Sequence, residues 1–188
     1  KRMLKDHVLV RKLVGIETSG SLNILFTDKT GTLTQGSLKV GDFLDGQGRA
    51  FGTPAELRNS PALYHLVALS CQYNTSSTLS DGRAIGGNAT DRALLSYTAA
   101  QPFGKAPAYR VTGSVPFDSA NKFSAVHLAG PETLYLVKGA PEKLLPACTH
   151  YYDAQGLVQP AGDLQRLREA WAEHTQNMER VVALAVSP

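Results

Sequence analysis

Asp28-Lys29-Thr30-Gly31-Thr32-Leu33-Thr34 gathers in seven residues the parts needed to receive a phosphoryl group. Asp28 offers a carboxylate nucleophile, and a carboxylate that takes up a phosphoryl group divides one difficult hydrolysis into two easier steps. Lys29, the threonine hydroxyls and the N–H groups of a glycine-containing turn can surround the charge that develops. Residues 22–27 (Leu-Asn-Ile-Leu-Phe-Thr) form a short apolar run, which predicts a buried strand leading into the motif. A carboxylate at the C-terminal end of such a strand stands where open α/β sheets bind their ligands. The same residues also fit a plainer description, a strand end followed by a polar turn with Asp28 solvated.

The elements around this motif follow from periodicity and punctuation. Residues 1–21 read as a basic arm with an apolar stretch at Val8, Leu9, Val10, Leu13 and Val14. Residues 38–44 alternate like a strand, 45–48 read as its turn, and 49–53 can return as a second strand. Ser60-Pro61 has the form of an N-cap followed by proline at the first helical position, with Leu63, Leu66, Val67 and Ser70 along one face. Residues 81–87 read as a flexible loop. A helix is predicted to open at Asn88, with Asp91 in its first turn. Residues 111–115, 123–128 and 133–137 read as strands, and 151–158 as a hairpin. The longest helix is predicted over 163–179, burying Leu164, Leu167, Trp171, Thr175 and Met178, before a last strand over 181–186. Strands in runs with separate helices argue for α+β architecture with an antiparallel sheet after residue 36.

The 188 residues suffice for one sizeable domain, or one domain and part of another. With 43% hydrophobic and 19% charged residues, the chain has the composition of a globular fold with a real core. The net charge is +3, and five basic residues (Lys1, Arg2, Lys5, Arg11, Lys12) fall in the first twelve positions. Such a run can face a membrane surface or nucleic acid, or be a solvated arm. Elsewhere basic and aromatic residues are not interleaved, so no nucleic-acid partner is expected. Cys71 and Cys148 form no C-x-x-C pair, which argues against zinc and for isolated thiols over a disulfide. No apolar run is long enough to span a bilayer, and no signal peptide is expected.

Asp28-Lys29-Thr30-Gly31-Thr32-Leu33-Thr34 resembles the phosphorylation motif of P-type ion-motive ATPases. Haloacid-dehalogenase-type phosphatases usually carry a second Asp two positions after the nucleophile; here that position is Thr30, which suits a persistent aspartyl-phosphate. Four later segments resemble the nucleotide-binding domain of the same family, in the family's order. They are residues 87–94 (G-N-A-T-D-R-A-L), 116–126 (P-F-D-S-A-N-K-F-S-A-V), 138–142 (K-G-A-P-E) and 179–185 (E-R-V-V-A-L-A). Each has a plain alternative: Asn88 and Asp91 as helix caps, Phe117 as a core aromatic, Lys122 as a charge guarding a strand edge, Lys138 as an exposed turn residue, and Arg180 as a helix C-terminal charge. Together and in order they identify the chain as similar to the calcium-pump-like P2 group. The heavy-metal group's His-Pro pair does not occur.

The resemblance implies a nucleotide-binding domain over residues 37–188, a twisted antiparallel sheet flanked by helices. Residues 1–36 would be an incomplete N-terminal piece of a Rossmann-like phosphorylation domain. It implies ATP, with Thr90 and Asp91 at the base, Phe117 stacked on adenine, Lys138 and Gly139 along the ring, Val182 nearby, and Lys122 and Arg180 at the phosphates. It implies catalysis at Asp28, aided by Lys29 and Thr30, and Mg2+ held partly by Asp28 and the Thr30 carbonyl. The parent protein would be a membrane cation-transporting ATPase, most simply for calcium, with this cytosolic portion on the cytoplasmic side. Its partners would be the transmembrane, actuator and remaining phosphorylation domains of the same pump. No G-D-G-x-N-D string follows residue 34, so this portion is expected to bind nucleotide without turning it over. A soluble phosphotransferase or phosphatase of the haloacid-dehalogenase superfamily, and a non-catalytic nucleotide-binding module, remain the alternative readings.

Overall fold

The computed structural model describes residues 12, 14–99, 108–162 and 164–188. The chain divides into two compact units, Lys1–Ser37 and Leu38–Pro188. Val8, Leu9, Val10 and Leu13 of the basic arm, the side chain of Thr30, and Asp163 lie outside the described residues.

In the first unit, helix α1 (Val14–Gly20) has no buried residue. The Thr18 and Ser19 hydroxyls donate to carbonyls four residues back, a local bond that competes with the helix's own ladder. Residues 22–27 form no strand, against the sequence expectation, and Leu22, Ile24, Leu25 and Phe26 are exposed, Phe26 at 93%. A strand is stabilised by its neighbours' ladder bonds and by burial of its faces, not by its own composition; none of the described residues pairs with this run.

The second unit is built around helix α3 (Pro61–Tyr73), which buries Leu63, Tyr64, Val67, Ala68, Leu69, Ser70 and Cys71. Its residues enter two apolar clusters. One joins Leu63, Tyr64, Val67, Ala68 and Cys71 to Phe51, Leu57, Tyr97 and Ala154; the other joins Leu69 to Tyr109, Val126, Leu128, Leu134 and Leu136. Burial pushes the Cys71 thiol up to about 12, so it is an inert core residue. Both cysteines are free.

Before α3 come the short antiparallel pair β1 (Phe43–Leu44) and β2 (Ala50–Phe51) and helix α2 (Pro54–Arg58). Helix α2 lies outside the expected elements, although its local signal is present. Thr53 caps it by accepting from the Glu56 N–H at 3.2 Å, Glu56 reaches back to the Gly52 N–H at 2.7 Å, and Pro54 opens the first turn. Ser60 precedes Pro61 as expected, but its hydroxyl donates to the Ala154 carbonyl and does not cap α3.

The expected loop at 81–87 holds the turn and second strand of a tight hairpin, β3 (Thr78–Ser80) with β4 (Arg83–Ile85). Asp81 and Gly82 both have positive φ, +50° and +73°, the backbone of a two-residue hairpin turn. Helix α4 (Ala89–Ala99) starts as predicted, with Asn88 Oδ1 accepting from the Asp91 N–H at 2.9 Å.

The main sheet is antiparallel. It comprises β5 (Arg110–Asp118), β6 (Phe123–Ala129), β7 (Thr133–Gly139) and β10 (Ala183–Ser187), in the order β10-β7-β6-β5. Between β7 and β10 lie the short helix α5 (Pro141–Leu144), the hairpin β8 (His150–Tyr152) and β9 (Val158–Pro160), and helix α6 (Gln165–Gln176). Burial alternates along β6 and β7, so Ser124, Val126, Leu128, Leu134, Leu136 and Lys138 share the covered face. This is the α+β architecture of antiparallel sheet and helices. No helix among the described residues is long and apolar enough to cross a membrane.

Helix α6 is shorter than its periodicity suggests and buries none of its residues. Its stripe breaks because Met178 adopts φ +59° and is 95% exposed. The Met178 N–H bonds the Thr175 carbonyl, and the Glu179 N–H bonds that of His174, the paired pattern that ends a helix in a left-handed residue.

Leu136→Ala removes a fully buried side chain and is expected to cost about 2–5 kcal/mol in chemical denaturation. Leu157→Ala, at a residue 60% exposed, is expected to stay within about 0.5 kcal/mol.

Candidate functional site

Lys138 stands one residue before the end of β7, with Ser124 of β6 and Leu184 of β10 as its cross-strand partners. Alternation along β7 turns its side chain under the sheet, where it is 6% exposed. A buried ammonium needs both a counter-ion and hydrogen bonds. Its Nζ lies 2.5 Å from Asp91 Oδ1 and donates at 2.5 Å to the Asn74 carbonyl. Asp91, 5% exposed, accepts from the Ser76 N–H at 2.8 Å and the Ser76 hydroxyl at 2.6 Å, both on Oδ2. Burial works to raise the Asp91 carboxyl, but the hydrogen bonds from Lys138 and Ser76 outweigh it and hold the group below its ordinary 3.8.

Gly139 allows the close approach that follows. A Cβ there would meet the Lys122 carbonyl oxygen at 2.5 Å and the Phe123 Cα at 2.9 Å. Lys122 closes the β5–β6 turn with φ +60°; its N–H bonds the Asp118 carbonyl at 2.7 Å, and its own carbonyl accepts from the Ala140 N–H at 3.0 Å. The Asp118 carboxylate accepts from the Ala120 and Asn121 N–H groups and from the Asn121 amide, which stiffens the turn. The Lys122 side chain is half-exposed and pairs with Glu142 at 3.1 Å across from the first turn of α5.

Phe117 is 60% exposed on the edge strand β5, so it is not the core aromatic of the plain reading. The β5–β6 register slips between Val115 and Asp118, and Asp118 pairs with Phe123. Phe117 lies within that slip, next to the strand β6 that carries Ser124. The exposed Arg180 guanidinium donates to the Thr90 hydroxyl at 3.1 Å, beside Asp91 in the first turn of α4. Val182 is half-buried one residue before β10, whose Ala183 pairs with Gly139. Thr90, Asp91, Lys138, Gly139, Arg180 and Val182 are thus linked by direct bonds or strand pairing. Lys122 joins them through the Gly139 approach, and Phe117 stands on β5, the strand paired to β6.

The resemblance gives Asp91 an adenine amino group; in the structure its carboxylate is already engaged by Lys138 and Ser76. The plain alternatives for Asp91 as a cap and Lys138 as an exposed turn residue do not describe these side chains. Asn74, Ser76 and Ser124 were not singled out from the sequence. Nothing in their types or local spacing marks them, because their partners are 15 to 64 positions away. A polar cleft of about 460 Å³ lies elsewhere, lined by Arg49, Glu56, Asn59 and Gln155 among others. None of its lining residues belongs to this constellation.

In the first unit, Asp28 is extended and exposed ahead of a single wide turn, Lys29–Leu33. Gly31 has φ +82° and donates its N–H to the Thr34 hydroxyl at 3.4 Å, and the Thr34 N–H closes onto the Lys29 carbonyl at 3.1 Å. Among the described residues no three His, Cys, Asp or Glu side chains gather as a metal site.

A family model described as P-type ATPase, cytoplasmic domain N, matches residues 60–188. The chain is 30% identical to a calcium-transporting ATPase of Listeria monocytogenes, over 97% of this chain and 21% of the relative. It is 33% identical to calcium-transporting ATPase 1 of Lactococcus lactis, over 100% of this chain and 22% of the relative. It is 30% identical to a probable cation-transporting ATPase F of Mycobacterium tuberculosis, over 85% and 20%. The chain spans about one fifth of the length of these curated relatives.

Asp91→Asn leaves the Lys138 ammonium buried without its counter-ion and is expected to cost about 3–5 kcal/mol in urea denaturation. Because the folded carboxyl titrates below 3.8, the stability it contributes is complete above that value. It is lost as pH falls through the lower, folded pKa. Denaturation midpoints of wild type and Asp91→Asn should therefore converge on acidification below pH 4 and stay apart from pH 5 to 7.

Proposed function

The chain belongs to the P-type ATPases through their cytoplasmic domain N, and on that premise we propose that its second unit binds an adenine nucleotide for an ion pump. The observation that carries the reading is the Lys138–Asp91 pair, fixed under the sheet next to Gly139, with Phe117 exposed on the edge strand β5. The adenine ring stacks on Phe117 and lies along the Lys138 stem and Gly139, near Val182. Asp91 and Thr90 act at this end by holding Lys138 and Arg180. Lys122 and Arg180 receive the phosphates. The Lys122–Glu142 pair is exposed, so a phosphate oxygen can replace Glu142 at little cost, and the Arg180 fork suits phosphate oxygens.

The parent protein is, on this proposal, a membrane pump that couples ATP hydrolysis to cation transport through an aspartyl-phosphate at Asp28. Lys29 and Thr30 assist there. The names of the relatives support calcium as the ion. The pump's transmembrane, actuator and remaining phosphorylation parts are the partners, and the portion described here works on the cytoplasmic side. Residues 1–36 supply the beginning of the phosphorylation domain. When bound with the nucleotide, Mg2+ neutralises the transferring oxygens. Asp28 and the Thr30 carbonyl are a sound but partial donor set for it, one carboxylate and one carbonyl.

Titrating the chain with ATP while following backbone amide NMR shifts tests the nucleotide reading. Saturable shifts at Thr90, Phe117, Lys138 and Arg180 are expected. Phe117→Ala should weaken binding by the stacking contribution, about 1–3 kcal/mol, with little change in thermal stability. Absence of saturable shifts at millimolar ATP would remove the proposal. The chain by itself should show no steady ATP turnover; turnover lost in Asp28→Asn would overturn that expectation.

A further inference from the structure

Asn74 belongs to no motif, yet it is 3% exposed and has three side-chain hydrogen bonds. Its amide nitrogen donates to the Ser124 carbonyl at 3.1 Å and the Leu136 carbonyl at 3.0 Å, on two different strands. Its amide oxygen accepts from the Ser124 hydroxyl at 2.9 Å. The residue follows the last turn of α3, where its own N–H closes onto the Ser70 carbonyl at 3.0 Å. The side chain therefore does not cap the helix. It rivets the end of α3 to β6 and β7 at the level of Lys138, and its main-chain carbonyl then meets the Lys138 ammonium.

We propose that Asn74 is a positioning residue of the nucleotide site: its side-chain amide fixes the carbonyl that, with Asp91, holds the Lys138 ammonium where the base binds. Its relevance to nucleotide rests on the reading above. Asp91 alone gives Lys138 one anchor and leaves the stem free to swing about it. The Asn74 carbonyl supplies the second anchor, so two directions from Nζ are set. A carbonyl on an unpinned helix end would not hold that position, because the chain there would relax away once the amide bonds were gone. Ser124 works with Asn74, donating to its amide from the strand position directly across from Lys138.

The test uses the whole chain and three readouts: the 15N resonance of the Lys138 ammonium, the ATP dissociation constant well below each variant's melting temperature, and the melting temperature itself. In the wild type the buried, twice-bonded ammonium should give a slowly exchanging signal. Asn74→Ala should shift or broaden that signal away and weaken ATP binding about tenfold, the scale of one charge-assisted hydrogen bond. Ser124→Ala removes one of the three side-chain bonds and serves as the milder variant, with a smaller change in the same direction should Asn74→Ala not fold. Leu57→Ala, in the other apolar cluster, should lower the melting temperature while leaving the Lys138 signal and ATP affinity within twofold of wild type. The proposal falls if Asn74→Ala or Ser124→Ala melts early with the Lys138 signal unmoved, or if Leu57→Ala weakens ATP binding as much. A wild type that binds no ATP would sink the nucleotide reading separately, while the ammonium signal would still decide what Asn74 positions.

Discussion

A lysine ammonium under a sheet must be matched, or the sheet does not close over it, and the second unit is organised by that requirement at Lys138. The counter-ion comes from α4, the second acceptor from the end of α3, and the bonds that steady both come from Ser76, β6 and β7. Segments that are far apart in the chain are thus brought to one point by a charge with few ways to be satisfied. A buried pair of this kind is weak evidence for high stability, since taking two ions out of water costs as much as their attraction returns. What it supplies is a fixed location for one flexible side chain.

The site is consequently asymmetric. Its floor is buried, with the Lys138 ammonium held by two bonds, while Phe117, Lys122 and Arg180 around it are exposed on an edge strand, a turn and the approach to β10. Two of these outer groups are steadied where they stand, Lys122 by the Asp118 turn and Arg180 by the Thr90 hydroxyl. A rigid floor with exchangeable outer contacts is what the proposed nucleotide site requires, a ring held and phosphates presented. Gly139 lets the two strands and the Lys122 turn approach closely enough for floor and rim to meet.

The first unit makes a different point about local and non-local order. The turn after Asp28 closes by its own short-range bonds, because Gly31 and Thr34 carry what the turn needs. The apolar run before it has strand composition and no strand, with Phe26 almost wholly exposed. Composition states what a segment can do when covered and paired; pairing is supplied by other segments.

The sequence by itself determined the local events and the family. The Asn88 cap, the Pro141 start of α5, the alternation along β6 and β7, the α+β class and the family all follow from neighbouring residue types and motif order, since caps, turns and periodicity act over four or five residues. It also contained the Thr53 cap, the Glu56 bond back to Gly52 and the Asp81-Gly82 turn. Only the tertiary structure decided that the Ser60 hydroxyl goes to Ala154 and leaves its helix uncapped, and that Asp91 serves Lys138 and not its own helix end. It alone gave Asn74 and Ser124 a role. Those outcomes turn on which distant donor or acceptor reaches a polar group first, and a buried polar group takes the partner that the packed chain brings to it.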